Sequence, residues 1–164
     1  MYVELHAHSA YSFLDGASRP EELAVRAAEL GYTAFALTDH DGLSGSLEFA
    51  YAAKALGVRP ITGAEVTLAG GRHVTLLVEN QRGYANLCRL LTAAHAETRP
   101  AAKPPALDPA LLAELNDGLV CLSGCARSRR RRAGSGRRPR PAGGGRLRGC
   151  RAARARTRRA SCCA

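Results

Sequence analysis

Five stretches of this chain carry the residue types that hold metal ions. "LHAHSAYSFLDGAS" places His6 and His8 either side of Ala7, with a lone acid at Asp15. "LTDHDG" carries Asp39, His40 and Asp41, "TGAEV" carries Glu65, "GGRHV" carries His73, and "LSGCA" carries Cys125. On a strand, residues i and i+2 project from one face, so two imidazoles at its end can reach one ion. Imidazole nitrogen, carboxylate oxygen and a thiolate together suit zinc, manganese or iron rather than calcium. A mixed set of this size exceeds the about four ligands of one tetrahedral zinc, which implies two or more clustered ions. Such clusters activate water and stabilise both oxygens of a displacement at phosphorus. Phosphoester hydrolysis is therefore the chemistry these residues point to.

Each residue also has a plainer role open to it. Asp15 could cap the Asp15-Gly16 turn, and Glu65 could serve as a cap at the end of an apolar strand. Asp39 and Asp41 flank His40, where one of them could orient the loop or accept a hydrogen bond from behind a ligand. His73 could be an ordinary strand-edge histidine. His95, in "LLTAAHAET", has no second ligand type nearby and reads as structural or exposed. Cys88 and Cys121 lie in apolar runs and read as buried small hydrophobes.

The elements that must position these groups alternate in type. "YVELHAH" reads as a strand, followed by a loop with turn chemistry at Asp15-Gly16. Ser18 reads as an N-cap, with Pro20 in the first turn and Glu21 at the capping-box position, and the helix stops at Gly31. "TAFALTDHDG" reads as a buried strand, "SGSLEFAYAAKALG" as a helix ended by Gly57, and "VRPITGAEVTL" as a third strand. "HVTLLVE" adds a strand, "RGYANLCRLLTAAHAET" an amphipathic helix and "PALLAELNDG" a short one. "LVCLSGCA" adds the last strand. Short joins between alternating types predict a parallel α/β arrangement, with each crossover long enough for a helix. In parallel barrels the active site lies at the carboxyl ends of the strands. His6/His8, His40, Glu65 and Cys125 fall at such ends, and His73, which opens a strand, is the exception.

The chain of 164 residues divides by charge. Up to Ala126 there are 9 Lys+Arg and 14 Asp+Glu, a net of −5; from Arg127 there are 15 Arg and no acid, so −5 and +15 give the overall +10. Residues 127–164 hold one Leu and no Ile, Val, Phe or Tyr, so they cannot bury a core and are expected to be disordered, without strand or cap. No run of 18 apolar residues and no secretory signal pattern is present, which predicts no membrane span and a cytoplasmic location. The cysteines form no paired framework and read as thiols or ligands.

"LHAHSAYSFLDGAS", "LGYTAFALTDHDGLSG", "PITGAEVTL", "HVTLLVENQRGYANLCRLLTAAH" and "GLVCLSGCAR", in this order and spacing, resemble the polymerase and histidinol phosphatase (PHP) domain. The version they resemble stands at the N-terminus of bacterial DNA polymerase III alpha subunits, of the error-prone, translesion type. The resemblance spans about residues 2 to 127 and places the domain at 1–126. It implies an α/β fold, a distorted (β/α)7 barrel, with two or three divalent ions (zinc, manganese or iron) at its mouth. Carried over by motif, the ligands are His6, His8, Asp15, His40, Glu65, His73 and Cys125, with Asp39 and Asp41 behind them. It further implies metal-dependent phosphoesterase or 3′–5′ exonuclease activity. Implied partners are DNA, met through a parent polymerase, and replication or translesion proteins.

The family pattern continues with a further Asp and His, and residues 127–164 contain neither. The barrel is therefore expected to be incomplete, with an open sheet edge. The abrupt switch at "GCAR" to "SRRRR" is what GC-rich DNA read out of frame produces, and a frameshift product is the preferred reading of the tail. The other reading is a basic arm that binds nucleic acid non-specifically through phosphate contacts; no aromatic residues are interleaved for base stacking. Two functional alternatives stand beside the polymerase reading. One is a stand-alone phosphoesterase for small phosphomonoesters, and the other a non-catalytic module stabilised by metal.

Overall fold

The computed structural model describes residues 2–98, 100–123 and the backbone of 151–152. The strands are β1 (Glu4–Ala7), β2 (Ala34–Leu37), β3 (Arg59–Leu68), β4 (Arg72–Val78), β5 (Leu119–Ser123) and β6 (Arg151–Ala152). The helices are α1 (Pro20–Glu29), α2 (Ser46–Ala55), α3 (Gln81–Ala94) and α4 (Pro109–Glu114). All six strands join one sheet in the order β1-β2-β3-β4-β5-β6.

The first half follows the expected pattern. α1 and α2 carry the chain back over the sheet, so β1, β2 and β3 run parallel. Gly31 and Gly57 end the two helices with φ of 70° and 75°, the left-handed geometry that a residue without Cβ adopts at low cost. The start of α1 differs by one residue from expectation. Arg19 occupies the N-cap, and its backbone N–H donates to the Glu22 carboxylate at 2.8 Å, so Glu22 and not Glu21 fills the box position.

The second half departs from a parallel sheet. Only Ala69, Gly70 and Gly71 separate β3 from β4, and the two strands form a hairpin in antiparallel register, with Glu65 opposite Thr75 and Thr67 opposite His73. A three-residue join cannot span the crossover that a parallel pair needs. Gly70 and Gly71 both take positive φ, 92° and 73°, to make the turn. β5 is also antiparallel to β4, so the fold is mixed α/β. The tail, expected to carry no strand, contributes the two residues of β6, which pair parallel with β5.

Burial follows the curl of the sheet. Phe35, Leu37, Phe49 and Val58 pack with Ala24, Ala27 and Ala53 under α1 and α2. Val66, Leu76, Leu87, Leu90, Leu107 and Leu112 form a second core under α3 and α4. Ala36 of β2 meets Leu77 and Leu122, from strands two and three places away, with Leu5, Ile61 and Val120 around them. Each fully buried Leu or Phe contributes about 1.5–3 kcal/mol, so three apolar clusters hold the strand ends in place. Among the described residues no helix is long and apolar enough to cross a membrane.

Candidate metal centre

Glu65 lies at the middle of the site. It does not close its strand, as the sequence suggested, but sits inside β3 with three residues still to run. β2 stops at Leu37, and β3 continues past it into the hairpin. Glu65 is thus the residue of β3 level with the chain leaving β2. Its N–H donates to the Asp39 carbonyl at 3.0 Å, and its own carbonyl accepts from Asp41 N–H at 2.8 Å. Both backbone groups are satisfied, and the side chain, in a residue only 3 % exposed, turns into a ring of imidazoles.

Four histidines surround that carboxylate. His6, in β1, places Nε2 against Oε2 in close contact. His8, one residue past β1, has Nε2 3.6 Å from the same oxygen. His73 donates from Nδ1 to Oε1 at 2.7 Å. His40 has Nδ1 3.8 Å from Oε1 and donates from Nε2 to Asp15 Oδ2 at 2.9 Å. The rings of His8 and His40 stack at 4.4 Å, nearly parallel at 9°, and His6 meets His8 edge-on at 4.8 Å. Burial alone would push the Glu65 carboxyl up; the imidazoles of His6 and His73, in hydrogen-bond contact with it, outweigh that and hold the group well below the usual carboxylate range.

His73 reaches the cluster because β4 runs antiparallel. Its start therefore lies beside the carboxyl half of β3, and His73 is the diagonal neighbour of Glu65 on the shared face. The exception noted in the sequence is a consequence of the hairpin.

The spacing of these atoms fits metal ions. Two ligands of one tetrahedral ion, each about 2.0–2.1 Å from it, stand about 3.3 Å apart. The 3.6 Å and 3.8 Å separations from Glu65 to His8 and His40 exceed a good hydrogen bond and are near that ligand spacing. Three overlapping triads bring one donor atom each within 4.8 Å of the others: His6, His8 and Glu65; His8, Asp15 and His40; and His40, Glu65 and His73.

The flanking aspartates hold loops and belong to none of these triads. Asp39, 3 % exposed, accepts from Ser9 N–H at 2.7 Å, Ser9 Oγ at 2.7 Å and Ser12 Oγ at 2.6 Å, fastening the β1–α1 loop to the end of β2. Asp41 accepts from Thr67 N–H and Thr67 Oγ1, both at 2.7 Å, fastening the next loop to β3. Gly16 lies so near Ser9 that a Cβ would stand 2.0 Å from the Ser9 carbonyl oxygen, which fixes the path that delivers Asp15.

The structure thus assembles six of the seven expected ligands, while Cys125 lies outside the described residues. His95 caps the end of α3 and donates from Nε2 to the Asp41 carbonyl at 2.7 Å, the structural role expected of it. Cys88 and Cys121 are half-buried rather than buried. Ser9, Ser12 and Thr67 were missed by sequence reasoning. Two serines three apart, directly after the histidine pair, are the one signal that could have marked the loop's anchors.

The family description PHP domain matches residues 4–141, running past the change of composition at Ala126. The error-prone DNA polymerase of Symbiobacterium thermophilum is 47% identical over 140 residues, covering 77% of this chain and 13% of that protein. The error-prone DNA polymerase of Mycobacterium tuberculosis is 46% identical over 142 residues, covering 80% of this chain and 13% of its own length. The chain therefore spans a small part of the relatives it matches. Among solved structures, a two-domain protein from Bacteroides vulgatus containing a predicted PHP-like metal-dependent phosphoesterase is similar over 68% of this chain and 40% of its own, at 20% identity and a TM-score of 0.44.

Proposed function

This chain belongs to the PHP domain family, and on that premise we propose that its histidine cluster is a multinuclear metal centre that hydrolyses phosphodiesters. The reading takes the chain as part of the N-terminal domain of an error-prone DNA polymerase-type protein, working in the cytoplasm on DNA. The observation that carries it is the sharing of ligands. Glu65, His8 and His40 each belong to two triads, so the same few side chains would serve two or three ions held close together.

His6, His8, Asp15, His40, Glu65 and His73 would hold zinc, manganese or iron, with Cys125 completing the set. Divalent ions there supply an acidified water and charge stabilisation at both oxygens of an in-line displacement at phosphorus. The chain's own contribution is position. Glu65 presents one oxygen to His6 and His8 and the other to His40 and His73, fixing the carboxylate between the donor groups. Asp39 and Asp41 fix the two loops that carry Asp15 and His40. Polymerisation, lesion bypass and contacts with replication proteins belong in this reading to the remainder of the longer protein. Residues 127–164 are read as a frameshift product, which sequencing the DNA across codons 120–135 tests directly.

The functional test is hydrolysis by the full 164-residue chain with zinc, manganese or iron supplied. Removal of nucleotides from the 3′ end of a DNA primer, abolished in His8→Ala, supports the proposal. Turnover of small phosphomonoesters alone supports the stand-alone phosphatase, and bound metal without either activity supports the structural module.

A further inference from the structure

The Ser12 hydroxyl stands where three groups converge. It lies 2.6 Å from Asp39 Oδ1, 3.0 Å from the backbone N–H of His40 and 3.3 Å from His8 Nδ1, in a residue with no exposed surface. A serine hydroxyl has one proton to give and two lone pairs to receive. The direction of every bond around it can therefore be worked out.

Asp39 Oδ1 is fixed as an acceptor by the backbone N–H of Ser9 at 2.7 Å, whatever the state of the other oxygen. The Ser12 proton goes there. The His40 N–H can only donate, and it takes one lone pair of Oγ. One lone pair remains, and the group facing it is His8 Nδ1. That nitrogen must carry a proton. Neutral imidazole has one N–H, so His8 Nε2 is left with a bare lone pair. Nε2 is the atom that faces Glu65 Oε2.

We propose that Ser12, oriented by Asp39, is a positioning residue that sets the tautomer of His8 so that Nε2 is presented to metal. The proposal rests on the metal-centre reading above and deepens it. The same hydroxyl holds the His40 backbone, so one buried group sets two ligands whose rings stack at 4.4 Å. A partner behind a ligating histidine commonly changes metal affinity by about 10- to 100-fold.

The test uses the full chain labelled with ¹⁵N and long-range ¹H–¹⁵N correlation of the imidazole nitrogens at about pH 8, with and without zinc. Ser12→Ala is compared with Ser9→Ala, which removes the other hydroxyl on Asp39 and leaves the bond from Ser12 intact. The expected result is a proton on His8 Nδ1 in wild type and in Ser9→Ala. In Ser12→Ala that preference is lost, and zinc affinity falls about 10- to 100-fold. A proton on His8 Nε2 in the wild-type protein overturns the proposal, and so do equal losses of zinc affinity in the two variants. Wild type that takes up no zinc overturns the metal-centre reading, while its metal-free spectrum still decides the tautomer. That wild-type spectrum also decides the matter should Ser12→Ala fail to fold.

Discussion

Glu65 and His73 meet at 2.7 Å across the β3–β4 hairpin, and the antiparallel turn is what brings them together. Had β4 followed a helical crossover, its first residues would lie at the far end of the sheet. The site draws on the ends of β1 and β2, the body of β3 and the start of β4, and the hairpin makes those four places adjacent.

Glu65 is the shared member, so its loss should be felt at more than one ion. Glu65→Gln keeps the shape and removes the charge. We expect zinc affinity to drop at least about 100-fold, the upper end of what a perturbed ligand environment costs. Competition against a chromophoric chelator measures it, and a change below about threefold would count against a central role.

The triads predict separable losses. His73→Ala removes a donor from the triad with His40 and Glu65 and leaves His6, His8 and Glu65 intact. Asp15→Asn weakens the triad with His8 and His40. Each variant should lower the bound metal by about one equivalent, and the double variant should lower it by more than either. Elemental analysis of dialysed protein reads this, and identical stoichiometry in all four proteins would show that neither residue holds an ion.

Acid should strip the centre through the imidazoles. Glu65 is held ionised well below the usual carboxylate range, so it stays charged as pH falls from about 7.5 to about 5. Imidazole ligates only as the neutral ring, and metal binding therefore releases protons. Calorimetry in buffers of different ionisation enthalpy should show proton release on metal binding that grows as the pH falls. Loss of metal confined to the region near pH 4 would assign the dependence to a carboxylate instead.

Gly16→Ala tests whether the β1–α1 loop has any freedom. The new Cβ would stand 2.0 Å from the Ser9 carbonyl oxygen, a backbone atom that cannot swing aside. Overpacking of this kind costs about 1–3 kcal/mol. The loop must shift, and Asp15 moves with it. A lower melting temperature together with weaker metal binding is expected; unchanged values for both would show that the loop yields without moving Asp15.

Much of this site could be read from the sequence because its ligands are of uncommon type and sit in local patterns. His6 and His8 keep their relationship through spacing alone, and "TDHDG" marks a strand end whatever the sheet does beyond it. Glu65 was identified by type and misplaced in its strand, because the length of β3 past β2 depends on a hairpin partner. That partner was hidden by the helix-rich joins elsewhere, although two glycines, Gly70 and Gly71, stand directly before the start of β4. Ser9, Ser12 and Thr67 were illegible for another reason. Serine and threonine are ordinary loop residues, and only burial beside Asp39 and Asp41 makes them anchors. The cap of α1 moved by one residue because the Arg19 backbone, which needs no special side chain, reaches Glu22.

The measurement that bears most directly on the metal centre is the metal content of the full 164-residue chain, purified without chelator, dialysed and analysed by plasma mass spectrometry beside Glu65→Gln. Two to three equivalents of zinc, manganese or iron in the wild type, falling below one in the variant, is the result expected of overlapping triads around one carboxylate. Less than half an equivalent in folded wild-type protein, or the same content in both proteins, would contradict it.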